Sequence, residues 1–164
     1  MKDYATQEQL KNLFTYNPDT GELIRKISSG GFKKGSVAGS LTKYGYLCVR
    51  VNYRLYQIHR LIWVYVHGYF PNKDIDHINR VRTDNRLENL REATRSQNLR
   101  NKEKSNKNIS GYKGVSFFAR DKKWMASIQI NGKKKYLGYF DTPLSAHEAY
   151  KNFAEKHFGE FSHA

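Results

Sequence analysis

Apolar and polar positions change their period along the chain. Leu10, Leu13 and Phe14 recur at helical spacing behind Thr6 and Gln9, a capping box, so residues 6–15 are predicted to form a short amphipathic helix. Asn17-Pro18-Asp19-Thr20-Gly21 is a turn that stops it, and Leu23 to Ile27 reads as a strand. Leu47 to Val51 and Leu55 to Ile58 are the arms of a hairpin turning at Asn52-Tyr53-Arg54. Leu61, Ile62, Val64, Tyr65 and Val66 then make a longer apolar run, and its length and the Gly68 stop favour a buried helix. Ile75 to Ile78 returns to strand alternation, and Leu90 to Ala93 pairs with it as a second short strand. Between them, Asn79 to Arg86 has nothing to bury and carries the Asn and Asp of turns, so it reads as a loop. Thr94 with Gln97 is a second capping box, opening a helix with Asn98 on its second turn.

The pattern lapses from Lys102 to Ser110, which is polar, aperiodic and linker-like. Three strand-like runs follow, at 114–118, 124–130 and 135–140, and Asn131-Gly132 is a strong hairpin signal between the last two. Thr142-Pro143 starts a helix with Ala146, Ala149, Tyr150, Phe153 and Ala154 on one face. The organisation expected is therefore a first domain over 1–101, a linker over 102–110 and a second domain over 111–164. The fold class is α+β, with small hairpins and helices first, then a three-stranded antiparallel sheet covered by a helix.

Charge narrows the partners. The chain has 164 residues with 29 Lys and Arg against 15 Asp and Glu, a net +14. That is a polyanion footprint. Between Arg80 and Lys107 there are nine basic and four acidic side chains, which favours nucleic-acid contact over a merely solvated face. Ser28 to Ser40 reads as a flexible basic connection. No run is long enough for a membrane span and the N-terminus has no apolar leader core, so an intracellular protein is expected. The single Cys48 excludes an internal disulfide and a Cys-rich zinc site. His59 is read as a helix-packing residue and His67 as a helix-end cation rather than ligands.

Asp76-His77, Asn89-Leu90 and Asn98 place an Asp, a His and an Asn on neighbouring elements separated by a loop. With their spacing and the upstream His59-Arg60-Leu61-Ile62-Trp63 and Gly68-Tyr69, they resemble the HNH nuclease motif, a ββα-metal finger, in the phage and intron-encoded homing endonuclease variant. The resemblance implies His77 as general base and Asn89 as the residue fixing the loop that bears it. It further implies Asp76 and Asn98 as ligands of one divalent cation. Asn98 in the last position, with Lys102 a turn beyond, points to Mg2+ or Mn2+ on oxygen ligands rather than zinc. One metal and one base per finger imply a monomer that nicks double-stranded DNA, a dimer being the route to double-strand cuts, and a source in a phage or mobile element.

Residues 111–160 resemble the DNA-binding domain of plant ethylene-response factors, through Tyr112-Lys113-Gly114-Val115, Trp124 to Ile128, Leu137-Gly138-Tyr139-Phe140 and Ala146 to Tyr150. In that family the sheet lies in the major groove, which implies contacts from Lys113, Arg120, Gln129, Lys134 and Tyr136; Trp124 and Leu137 by themselves read as core residues. Arg80, Arg82 and Arg95 are the expected contacts of the first domain. The competing readings are a DNA-binding regulator that keeps the finger only as a scaffold, and an enzyme acting on RNA.

Overall fold

The computed structural model describes residues 4–101, 108–130 and 132–162. They form two compact units, residues 1–94 and 95–164.

In the first unit, helix α1 (Gln7–Leu13) opens with both halves of the Thr6–Gln9 capping box formed. The helix ends two residues earlier than its apolar spacing predicts. Phe14 turns extended and begins strand β1 (Phe14–Asn17), which pairs with β2 (Glu22–Arg25) across the predicted turn. The Ser28–Ser40 stretch differs from expectation too. It is tied back to β2, with Arg25 N–H donating to Ser36 O, Gly35 N–H to Arg25 O and Ala38 N–H to Leu23 O, and Ala38 is buried. Strand β3 (Ser40–Leu41) adds to the antiparallel hairpin of β4 (Leu47–Val51) and β5 (Arg54–Gln57). That hairpin turns on two residues, not three: Asn52 and Tyr53 both have positive φ, the left-handed pair a tight hairpin requires.

Helix α2 (Ile58–His67) stops at Gly68 in the left-handed conformation. Gln7 of α1 donates its side-chain amide to Tyr65 O and Val66 O, satisfying carbonyls that the helix end leaves open. Leu10, Phe14, Leu23, Val49, Val51, Ile58, Leu61, Ile62, Val64, Ile75 and Leu90 form the core around α2. Against it lie β6 (Asp74–His77) and β7 (Leu90–Ala93), antiparallel with His77 opposite Leu90 and Asp76 opposite Arg91.

The second unit begins with α3 (Arg95–Asn101), which packs on the short turn Gly159–Phe161 with Asn101 and Phe161 buried. The boundary between the compact units thus falls before α3, where sequence composition places it after residue 101. Most of the expected linker, 102–107, lies outside the described residues; Asn108 and Ser110 are bonded to the Tyr112 carbonyl of this unit. Strands β8 (Val115–Phe118), β9 (Lys123–Ile130) and β10 (Lys133–Phe140) form an antiparallel sheet in the order β10-β9-β8. Helix α4 (Pro143–Phe158), capped by Thr142 with Pro143 in its first turn, lies on one face. Ala126 and Ile128 of β9 point to Ala146, Tyr150 and Ala154, and Trp124 and Leu137 pack at this core. Gly114 has positive φ and lies under the Tyr150 ring, where a Cβ would come within 2.1 Å of a ring carbon. Among the described residues no helix is long and apolar enough to cross a membrane.

Candidate active site

Strand alternation sorts the three residues at the end of β6. Ile75 and His77 share the face turned to the core and α2, while Asp76 points the other way. Asp76 is buried beside its cross-strand partner Arg91, whose Nε and Nη2 donate to Asp76 Oδ2 at 3.1 and 3.0 Å. Both side chains are largely out of water, so the pair carries a desolvation cost that its two hydrogen bonds help to offset.

His77 is buried, with its Nε2 3.0 Å from Asn85 Oδ1. The ring of His59, from the first turn of α2, meets it edge-on at a centroid distance of 4.9 Å. Tyr46 closes the group at 5.4 Å from His59 and 6.1 Å from His77. Burial pushes the His77 pKa below its ordinary value, with the Asn85 hydrogen bond and Asp76 opposing. His59 is pushed down to about 3 by burial and, secondarily, by its neighbours His77 and Arg60.

This predicts an acid-labile fold. His59 binds a proton below about pH 6.5 in the unfolded chain and only below about 3 in the folded one, so stability is full above neutrality and is lost as pH falls through that window. From pH 7.5 to 5, His59 alone should cost about 2 kcal/mol, with His77 acting in the same direction. Urea unfolding at the two pH values should show a correspondingly weaker acid loss in His59→Phe; equal pH dependence would contradict it.

The loop between β6 and β7 is closed by Asn89, the last residue of the short turn Leu87–Asn89. Its Oδ1 accepts from Asn79 N–H at 2.9 Å, its Nδ2 donates to Asp84 O at 2.8 Å and Asn79 Oδ1 at 2.9 Å, and its own carbonyl accepts from Ile78 N–H at 2.9 Å. Asp84 takes a two-pronged contact from Arg86, Nε at 2.9 Å and Nη2 at 2.8 Å, which holds its carboxyl down at about 2. An otherwise polar excursion is thereby pinned on both flanks.

Asp76, His77 and Asn89 thus meet on one hairpin, whereas Asn98 is half-buried on α3 in the second unit. Sequence reasoning passes over Asn85 and Arg91. Asn85 is one polar residue among many in a loop, and only its burial sets it apart. Arg91 could be found from strand register alone, as the residue opposite Asp76.

Among the described residues no group of three or more His, Cys, Asp or Glu is arranged to hold a metal. The donor chemistry nevertheless fits a hard cation of the magnesium type, which commonly takes one or two protein carboxylates and completes its shell with water and substrate phosphates. Asp76 is the carboxylate adjoining His77.

The basic candidates are distributed over both units. Arg80 has positive φ in the loop, and Arg82 donates to Tyr44 O at 2.7 Å with its guanidinium 5.1 Å above the Tyr46 ring. Arg95 is exposed at the start of α3, and Lys113 is half-buried before β8. Arg120, in the β8–β9 turn, is exposed and paired with Asp121 at 2.7 Å. Gln129 and Lys134 stand opposite each other on the sheet face away from α4, with Tyr136 on the same face and Lys134 Nζ 5.2 Å from its ring.

Residues 56–100 match the family described as HNH endonuclease, a span that contains His59, Asp76, His77, Asn85, Asn89 and Asn98. An uncharacterized HNH endonuclease of Acanthamoeba polyphaga mimivirus is 34% identical over 108 residues. The aligned region is 65% of this chain and 55% of that protein, so the match spans about half the relative's length. No solved structure matches the chain. Both matches point to the same family, and the family match itself is confined to residues 56–100.

Proposed function

We propose that this chain is a metal-dependent DNA endonuclease of the HNH class, of homing-endonuclease type, that nicks double-stranded DNA. The observation that carries the reading is the end of β6, where a buried, hydrogen-bonded His77 adjoins a buried carboxylate, Asp76, on a hairpin whose loop Asn89 locks. His77 takes a proton from the water that attacks phosphorus, a role open to an imidazole that burial keeps in its neutral form. Asp76 would hold the divalent cation, Mg2+ or Mn2+; Asn98 is kept as a further ligand on motif spacing alone. When bound, such an ion supplies charge stabilisation at the phosphate and the departing 3′ oxygen. Asn89 keeps the loop from displacing His77. Arg80, Arg82 and Arg95 offset phosphate charge.

The second unit serves as the DNA-reading module. Its outer sheet face presents Gln129, Lys134 and Tyr136, with Lys113 and Arg120 nearby in sequence to β8, and resembles the groove-lying sheet of ethylene-response-factor domains. A small catalytic finger holds DNA mainly through phosphates, and a tethered second module raises its effective concentration.

The test is conversion of supercoiled plasmid to open circle by the purified chain in Mg2+, Mn2+ or EDTA. Nicking with either metal and none in EDTA is the expected result. Tight DNA binding with no nicking on targets from related mobile elements would favour a regulator that retains the finger as scaffold.

A further inference from the structure

We propose that Asn85 selects the reactive tautomer of His77, and that the N-terminal hairpin β1–β2 holds Asn85 in place to do so. The proposal rests on the nuclease reading and adds a positioning residue to it.

Asn85 is 1% exposed and sits with Oδ1 3.0 Å from His77 Nε2. Its amide has one sensible orientation, because Nδ2 donates to Thr83 O at 3.3 Å and the reverse setting would turn two oxygens against each other. An amide oxygen only accepts, so the ring nitrogen facing it carries the hydrogen. A neutral imidazole has one such hydrogen, and the basic lone pair is therefore on Nδ1. When water attacks, the new O–P bond forms as the bond from phosphorus to the 3′ oxygen breaks. The water's proton passes to Nδ1, and the departing oxygen is protonated from solvent. The ring is then a cation with hydrogen on both nitrogens, and the bond from Nε2–H to Asn85 becomes charge-assisted.

A buried amide can do this only if its backbone does not move. Tyr16, on β1, accepts from Leu87 N–H at 2.9 Å and donates to Asn85 O at 3.3 Å through the same hydroxyl. Gly21, in the β1–β2 turn, lies so close to the Asn85–Arg86 peptide that a Cβ there would be 2.4 Å from Arg86 N. The hairpin thus seats the segment 85–87 from one side. His59, edge-on at 4.9 Å, fixes the plane of the His77 ring from another.

The experiment combines ring 15N NMR of the full-length, metal-free protein with nicking and DNA-binding assays. The His77 signal is assigned by its loss in His77→Ala. The wild type should show a single Nε2–H tautomer near neutral pH. Asn85→Ala should mix the tautomers and lower the nicking rate on the order of a hundredfold with DNA affinity unchanged. Asn85→Asp keeps the acceptor facing Nε2 but sets its second oxygen against Thr83 O, so it should restore the Nε2–H tautomer with only part of the rate, and Tyr16→Phe should fall between Asn85→Ala and the wild type. An Nδ1–H ring in the wild type overturns the proposal without any variant needing to fold. So does an Asn85→Ala protein with wild-type tautomer and rate. If the ring behaves as expected and the wild type does not nick, the orienting role stands and the nuclease reading fails.

Discussion

Plasmid nicking by His77→Ala is expected to fall about a thousandfold, with DNA affinity within a few-fold of the wild type. Positioned general-base catalysis is worth roughly 10²–10⁴ in rate, and the neighbouring imidazole is poorly placed to take over. His59, the nearest, is 3% exposed and kept neutral behind His77. The substitution removes a buried ring and leaves Asn85 Oδ1 without its donor, a cost of about 1–3 kcal/mol. Rates should therefore be compared where melting curves show both proteins folded. Affinity is preserved in this view because His77 is buried and the phosphate-offsetting charges are elsewhere. Nicking that persists in the variant would remove His77 from the mechanism, and a parallel collapse of binding would make its role structural.

The second large effect is expected far from the chemistry in sequence. Gly21→Ala should destabilise the first unit by about 3 kcal/mol or more, because it places a side chain at φ +72° and drives it into backbone atoms, Arg86 N at 2.4 Å and Asn85 C at 2.5 Å. Backbone atoms of a pinned segment cannot rotate aside as a flexible side chain would. For a unit of this size the melting temperature should drop by roughly 12–24 °C. Gly31→Ala is the control: its φ is +84° but nothing lies within 4 Å, so only the local conformational cost, about 1 kcal/mol, applies. Similar losses in the two variants would show that the close approach at Gly21 contributes little.

Locally encoded features were legible in the sequence. The Thr6–Gln9 box, the Gly68 stop and Pro143 after a Thr cap each act within a few residues, so spacing alone predicts them, and the structure places helix ends there. The β6–β7 strands and the three strands of the second unit followed from alternation between turn residues for the same reason. What failed to show was decided at long range. Phe14 continues the helical period of Leu10 and Leu13, yet pairing with Arg25 draws it into a strand. Ser28 to Ser40 has the composition of a solvated loop, but hydrogen bonds to β2 order it. Asn85 looks like its polar neighbours until Tyr16 and Gly21, more than sixty residues earlier, come to rest against it. Of the proposed site, the residue types and their spacing were readable; the groups that orient them were not.

Strand β10 is an outer strand, and an outer strand offers a row of backbone donors and acceptors on which another chain can build. Lys133, Lys134 and Lys135 stand consecutively at its start, Lys134 over Tyr136 on one side and Lys135 over Phe153 on the other. Two copies approaching edge to edge would bring like charges together on both faces at once. The triplet is therefore expected to oppose edge-to-edge association, and a β-branched, uncharged replacement of all three should raise aggregation as read by light scattering.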